Sequence, residues 1–263
     1  MRLLFLGDVV GKGGREAVKK VLPELRRRYN AQFAVVNGEN SAAGAGITGG
    51  CARELAAVAD VITTGDHVWD QKGFDQEIAM FPNVLRPANL SKLQPGRGWG
   101  VFQNPAGGEV AVVNLLGKVF MRESAYCPFE TIERILAEEL PKRVKTILVD
   151  FHAEATSEKI AMAHFLDGKV TAVLGTHTHV RTADGRVLAG GTAALSDAGM
   201  CGAAVSVLGR EVEAVLQKFR VGIPVRLPVV EKGVIRVDGA AVTYDPATGR
   251  AAAIEGFSET VEI

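Results

Sequence analysis

Four of the five histidines in the 263-residue chain fall directly after short apolar runs, and a set of acids falls with them. LLFLGD ends on Asp8, AVVNGEN carries Asn37, Glu39 and Asn40, and VITTGDH carries Asp66 and His67. LVDFHAE adds Asp150, His152 and Glu154, and AVLGTHTH adds His177 and His179. One carboxylate after an apolar run is an ordinary helix cap or turn former. A lone histidine is more often structural than a ligand, and His164, inside KIAMAHFLDG, takes that reading. Recurrence at five run ends is different, because independent caps have no reason to gather most of the histidines. Mixed Asp, Glu, Asn and His donors without cysteine suit Mn²⁺, iron or Zn²⁺ and not a soft-metal cluster. Roughly seven such donors exceed what one ion needs, so two ions sharing a carboxylate fit best. Two metals about 3.5–4 Å apart are the usual device for in-line displacement at phosphorus.

The elements that must position these residues alternate between buried runs and helical periods. Residues 3–6, 33–36, 61–63, 146–151 and 170–174 read as strands. Helices are expected over 13–29, 51–58, around 74–80, and over 131–140, 158–166 and 211–219, from apolar residues spaced three and four apart. Residues 99–103 and 110–116, with Gly107-Gly108 between them, read as a hairpin. Repeated strand-helix-strand units imply an α/β fold with a largely parallel sheet and helices on both faces, and runs such as AVV and TILV fit burial on both sides. In such a sheet, ligands bind outside the carboxyl ends of the strands, where the loops converge. After Gly222 the pattern turns to short alternating runs punctuated by Pro224, Pro228 and KG, DG and TG pairs, expected as antiparallel strands completing or flanking the sheet. Gly11, Gly13 and Gly14 read as loop and helix-entry residues, since GDVVGKGGR lacks the full phosphate-loop spacing.

Composition removes several classes of function. Lysine plus arginine equals aspartate plus glutamate at 30 each, so the strongly basic footprint for duplex DNA is absent. Three scattered cysteines, Cys51, Cys127 and Cys201, argue against a disulfide framework or zinc ribbon and fit a reducing cytoplasm. No stretch approaches the roughly 20 apolar residues of a membrane helix. The first residues read as a buried strand and not as a signal segment. No repeat or linker interrupts the chain, so one domain over 1–263 is expected, in the cytoplasm, with self-association favoured by the apolar tail strands.

The ordered motifs GD (Asp8), NGEN (Glu39), GDH (Asp66-His67), DFHAE (His152) and GTHTH (His177, His179) resemble those of the calcineurin-like metallophosphoesterases. More narrowly, GDVVGKGGR, NGENSAAGAGIT, TGDHVWD, DFHAEATSEK, GTHTHVRTAD and GTAALSDAGMCG are similar to the YmdB-like branch, bacterial proteins akin to 2′,3′-cyclic-nucleotide phosphodiesterases. The resemblance implies a sandwich of largely parallel sheets flanked by helices. It implies that Glu39 bridges two divalent ions, that Asp8 and His179, with Asn40 as a further oxygen donor, hold one, and that Asp66, His152 and His177 hold the other. His67 would stand near the leaving-group oxygen as an acid. Two departures matter. Val10 stands where the wider family has a histidine, leaving the first ion poorer in nitrogen and favouring iron or manganese over zinc. Asp66 replaces the usual Asn and adds negative charge beside the ions. The implied activity is hydrolysis of small phosphodiesters, foremost 2′,3′-cyclic nucleotides, by a metal-bound hydroxide. The alternatives are a phosphomonoesterase of 5′-nucleotidase type, or a metal-containing regulatory protein that binds nucleotides or short single-stranded RNA.

Overall fold

A period of two in the first strand divides the molecule. In the computed structural model, which describes residues 1–122 and 124–263, Leu3 and Phe5 of β1 (Arg2–Leu6) join one buried cluster while Leu4 and Leu6 join another. The same split runs through β3 (Phe33–Asn37), where Phe33 and Val35 face one way and Ala34 and Val36 the other. It recurs at β4 (Val61–Thr63), whose neighbour is the short β5 (Val84–Leu85). A second sheet repeats the pattern. Val110 and Val112 of β7 (Glu109–Leu116), Leu148 of β8 (Thr146–His152) and Ala172 and Leu174 of β9 (Ala172–Thr176) meet Leu3, Phe5, Phe33 and Val35 in a shared core. Their alternate residues, Ala111, Val113, Val149 and Val173, face away.

Helices cover both outer faces. α1 (Gly11–Tyr29), α2 (Gly49–Ala56) and α3 (Phe74–Glu77) lie over the first sheet through Val18, Leu22, Leu25, Leu55 and Phe74. α4 (Pro128–Arg134) and α5 (Thr156–Phe165) lie over the second through Ile132 and Met162. The helical period expected over 131–140 continues past α4 as a π-helical turn, Ile135–Glu139. The layering is therefore helix, sheet, sheet, helix. The sandwich implied by the family resemblance is present, but the single sheet with helices on both faces, expected from periodicity, is not. A run that is apolar on both sides is equally satisfied by a helix or by another sheet, and periodicity cannot distinguish the two covers.

Both sheets are mixed, each with a parallel run: β1-β3-β4-β5 in the first and β11-β9-β8-β7 in the second, where β11 is Ala193–Leu195. The first runs β2-β12-β13-β1-β3-β4-β5, where β2 is Asp8–Val9, β12 is Met200–Ala203 and β13 is Val234–Tyr244. β14 (Ala251–Glu262) pairs antiparallel with β13, so the tail completes this sheet as expected. The second runs β10-β11-β9-β8-β7-β6, with β6 (Trp99–Gln103) and β7 forming the expected hairpin and β10 (Arg186–Val187) and β11 (Ala193–Leu195) the other edge. Outside both sheets stands α6 (Val212–Val221). Among the described residues no helix is long and apolar enough to cross a membrane.

Two glycines show how the chain is steered toward the carboxyl edge. At Gly7 the strand changes partner from β13 to β12, and a Cβ there would stand 2.0 Å from the Gly199 carbonyl oxygen, so only glycine permits the crossing that delivers Asp8. Gly14 brings α1 against β12, where a Cβ would lie 2.2 Å from the Cys201 carbonyl oxygen. The amide of Gly11 is bonded to Asn40 O and that of Gly14 to Val10 O, so these glycines serve close packing and helix entry.

Phe5 is fully buried between the sheets. Phe5→Ala is expected to lower unfolding free energy by about 3–5 kcal/mol in urea denaturation, whereas Leu93→Ala, at a side chain 97% exposed, should change it little. Equal effects at the two positions would contradict this placement of the core.

Candidate metal centre

The carboxyl ends of β1/β2, β3 and β4 from one sheet meet those of β8 and β9 from the other, and the polar residues after these strands converge. Glu39, Asp66, His152 and His177 each present one donor atom, and these atoms all lie within 4.8 Å of one another. His152 Nε2 is 3.0 Å from Glu39 Oε2 and 3.1 Å from Asp66 Oδ1. His177 Nδ1 is 3.1 Å from His152 Nε2 and 3.5 Å from Asp66 Oδ1. Beside this group, His179 Nε2 stands 3.0 Å from Asn40 Oδ1 and 3.9 Å from Asp8 Oδ1, and Asp8 Oδ1 is 3.8 Å from His152 Nδ1. All seven residues read as ligands thus occupy one edge, in two adjoining groups.

The chemistry of this donor set fits divalent cations. Asp8 Oδ1 and Glu39 Oε2 are buried with no hydrogen-bond partner among the described residues, a state that costs about 1–3 kcal/mol or more per group when nothing compensates it. Among the described residues no lysine or arginine side chain bonds to Asp8, Glu39 or Asp66. His152 Nδ1 lies 2.8 Å from Thr176 Oγ1, and that hydroxyl donates to Asp150 Oδ1 at 2.7 Å. With the hydroxyl proton on Asp150, Thr176 Oγ1 accepts from Nδ1–H, so Nε2 carries its lone pair toward Glu39, Asp66 and His177. Lone pairs and carboxylate oxygens packed at such distances repel unless a positive charge lies among them.

The titration behaviour of the groups expresses the same demand. Burial pushes the Glu39 carboxyl up. Burial would lower His152, yet the Glu39 charge and contacts with Asp66, Glu39 and Asp8 raise it well above its ordinary value. Asp66 is also disfavoured by burial, but His152 and His177 hold its carboxyl well below the usual carboxylate range. Burial lowers His179 and raises Asp150 to about 6. Metal ions would supply the charge that protons otherwise bring.

The loop carrying His177 and His179 is strained and firmly braced. Both take positive φ, 102° and 63°, a conformation costly for residues other than glycine and concentrated at functional sites. The His177 amide donates to Asp8 Oδ2 at 3.1 Å, and the Thr178 amide donates to Asp197 Oδ2 at 3.0 Å. Asp197 is buried against Lys159 Nζ at 2.7 Å and also accepts from the Gly199 amide. Outside the cluster, Glu154 Oε2 lies 3.1 Å from His177 Nε2 and turns Nδ1 inward. His67 is half-exposed, with Nδ1 2.8 Å from Asp70 Oδ2. Val10 is buried against Gly202 and Gly209 at the entry to α1, so its position contributes packing and no donor.

Sequence reasoning missed Lys159, Asp197, Thr176 and Asp70. Asp197 and Lys159 act through loop backbone, a role with no local motif. Thr176 and Asp70, one before and three after a histidine, carried a signal only in their adjacency. Trp69 bonds Gln94 and Trp99 bonds Glu139 through their indole nitrogens, each packed at the edge of a core cluster. His164 is exposed in the last turn of α5, in keeping with its structural reading.

Gly65 adjoins the centre so closely that a Cβ would lie 1.5 Å from Glu39 Oε2 and 2.3 Å from His152 Cδ2. Gly65→Ala is therefore expected to leave secondary structure intact by circular dichroism while sharply reducing bound metal by elemental analysis. Undiminished metal in a folded variant would mean that Glu39 and His152 do not form the centre.

Known proteins are similar to this chain in sequence and in fold. A family model described as YmdB-like protein matches residues 4–257. The 2′,3′-cyclic-nucleotide 2′-phosphodiesterase of Bacillus subtilis is 43% identical over 256 residues, spanning 97% of this chain and 96% of the relative. A solved structure described as a novel phosphatase from Mycoplasma pneumoniae superposes with a TM-score of 0.91 at 32% identity, covering 100% of this chain and 94% of that one. A calcineurin-like phosphoesterase of Bacillus subtilis, at 12% identity and a TM-score of 0.58 over 99% of this chain and 90% of its own, shares the fold alone. With a matching model over nearly its whole length and a relative this similar, the chain belongs to the YmdB-like family.

Proposed function

We propose that the chain is a dinuclear metal-dependent phosphodiesterase acting on small phosphodiesters, foremost 2′,3′-cyclic nucleotides. The observation that carries this reading is the buried pair of unpartnered oxygens, Asp8 Oδ1 and Glu39 Oε2, within a cluster of acids and imidazoles drawn from five strand ends of two sheets. The name of the Bacillus subtilis relative supports the substrate class. Glu39 would bridge the ions; Asp8, Asn40 and His179 would hold one, and Asp66, His152 and His177 the other. When bound, two such ions activate water and neutralise charge on the phosphoryl oxygens. The donors of the first ion, oxygens from Asp8, Glu39 and Asn40 with the single imidazole of His179, suit iron or manganese better than zinc.

The remaining roles belong to the chain's own groups. Thr176 and Asp150 fix the His152 ring through Nδ1 and keep Nε2 for the centre. Glu154 does the same for His177 from Nε2. His67 has its Nδ1 engaged by Asp70, which leaves Nε2 as the atom that would protonate the leaving oxygen. Asp66 adds negative charge that tightens cation binding and makes the site less welcoming to dianionic monoesters than to monoanionic diesters.

The Mycoplasma pneumoniae structure, described as a phosphatase, favours a second reading, a phosphomonoesterase. Turnover of bis-p-nitrophenyl phosphate beside p-nitrophenyl phosphate separates the two, and a preference for the monoester would displace the diester proposal. Glu39→Gln should reduce diester turnover by more than about 100-fold, beyond the loss that removing an outer partner of a ligand causes, and should lower metal content; full activity would remove the bridge from the proposal. Metal content measured after dialysis should also fall as the pH is lowered. Burial raises Glu39 and the acids raise His152, so both bind protons readily on acidification and protonated ligands cannot bind metal. Metal content that stays constant on acidification would show that these two groups are not ligands.

A further inference from the structure

β7 ends at the metal-binding edge without delivering a ligand. It runs parallel beside β8, with Leu116 paired to His152, and the chain then turns over Lys118–Met121, closed by the Met121 amide donating to the Lys118 carbonyl at 3.4 Å. Phe120, third in that turn, takes a φ of 63°. Such a turn position ordinarily calls for glycine, and a bulky side chain there is strained. Burial within the fold does not offset that strain, because Phe120 is 84% exposed.

The turn is nonetheless firmly placed. The Gly117 amide donates to the His152 carbonyl at 2.8 Å, and a Cβ at Gly117 would stand 2.5 Å from the Ala153 Cβ, so the chain is pressed against the end of β8. Buried Glu158 of α5 accepts the Lys118 amide through both oxygens, at 3.0 and 3.1 Å, and the Val119 amide at 3.2 Å. On the other side, Met121 packs against the outer cluster of the first sheet, to which Val68, next to His67, belongs. Three residues span at most about 11 Å, so Phe120 stands within that reach of Gly117 and of the strand end that carries His152. An exposed aromatic ring is thus held at the rim of the centre, in a conformation that the core does not reward.

We propose that Phe120 is the platform on which the nucleobase of a nucleotide substrate stacks. The inference rests on the phosphodiesterase reading and adds to it the residue that prefers nucleotides over diesters without a base. In a 2′,3′-cyclic nucleotide only the ribose separates the base from the phosphodiester, so a ring one turn beyond the His152 strand end is within reach of the base. Stacking also suits the charge of this edge. Asp66 and Glu154 make it acidic, and an uncharged base brings nothing for them to repel. Trp69 and Trp99 do not compete for this role, since their indole nitrogens are engaged and their rings pack at the edges of core clusters. Every base has a π-face, so a single ring selects for the presence of a base and not for its identity.

Substitutions of Phe120 in the metal-loaded full chain test it. Phe120→Gly removes the ring and relieves the turn, so its melting temperature should stay at or above that of the wild type; a fall would assign the ring to the fold's own packing and overturn the proposal. Adenosine 2′,3′-cyclic monophosphate is then compared with glycerol 1,2-cyclic phosphate, a cyclic diester without a base. In Phe120→Gly and Phe120→Ala the nucleotide-to-glycerol ratio of kcat/KM should fall by about fivefold or more, the worth of one base–aromatic stack, with the loss in KM. Phe120→Trp should keep the ratio. A ratio unchanged by Phe120→Gly overturns the proposal, as does a ratio that Phe120→Trp lowers equally. Should the wild type turn over neither diester, the phosphodiesterase reading fails and calorimetric titration with adenosine 3′-monophosphate decides the platform by itself. Binding that Phe120→Gly weakens by about fivefold or more upholds it; binding indifferent to the substitution, or absent from the wild type, overturns it.

Discussion

The repulsion among Asp8, Glu39 and Asp66 is the constraint around which the rest of the structure is arranged. These acids are gathered at the carboxyl edge of the sandwich, with two of their buried oxygens lacking a hydrogen-bond partner among the described residues. Such a collection would ordinarily push strands apart or draw in protons. It persists because each carboxylate is tied to a strand end whose direction the core dictates: Leu3, Phe5, Phe33 and Val35 of one sheet pack against Val110, Val112, Leu148 and Leu174 of the other. Hydrophobic burial over two sheets far outweighs the local cost of a few unsatisfied groups, so the fold can hold an arrangement that only a cation relaxes.

Support around the centre is arranged in depth. Thr176 and Asp150 sit beneath His152, Glu154 sits outside His177, and Asp197 with Lys159 grips the loop between β9 and β10. The positive φ of His177 and His179 is the visible sign that this loop is held in a conformation the residues would not choose alone. Lys159 and Asp197 are buried as a pair against that loop. An ion pair of this kind contributes less to net stability than to fixing one geometry. Rigidity here matters because ligand atoms must be correctly placed before a metal arrives.

The charge character of the edge also bears on what can approach it. Asp66 in place of a neutral amide, and Glu154 beyond it, leave the acids unrelieved by any direct lysine or arginine bond among the described residues. Attraction for an anionic substrate would then come from cations held at this edge. A site of this kind depends more on full metal loading than one lined with basic side chains.

Much of this was legible in the residues. Apolar runs ending in Asp8, Glu39, Asp66, His152 and His177–His179 pointed to the strands and to the candidate donors, because strand period and ligand chemistry are local properties of a few adjacent residues. The longer strands and the helices followed for the same reason, whereas β2, β5, β10, β11 and β12, each of four residues or fewer, are too short to show a period. What the chain order could not convey was which face of each strand meets what. Leu3 and Leu4 are chemically alike, yet one packs against a second sheet and the other against helices. That choice belongs to long-range packing. So do the brace of Lys159 on Asp197 and the grouping of the donors in space, since these join residues tens to more than a hundred positions apart. The sequence by itself determined the kind of atoms available at five strand ends; only the tertiary structure, by closing two sheets on a common core, decided that those ends are one place.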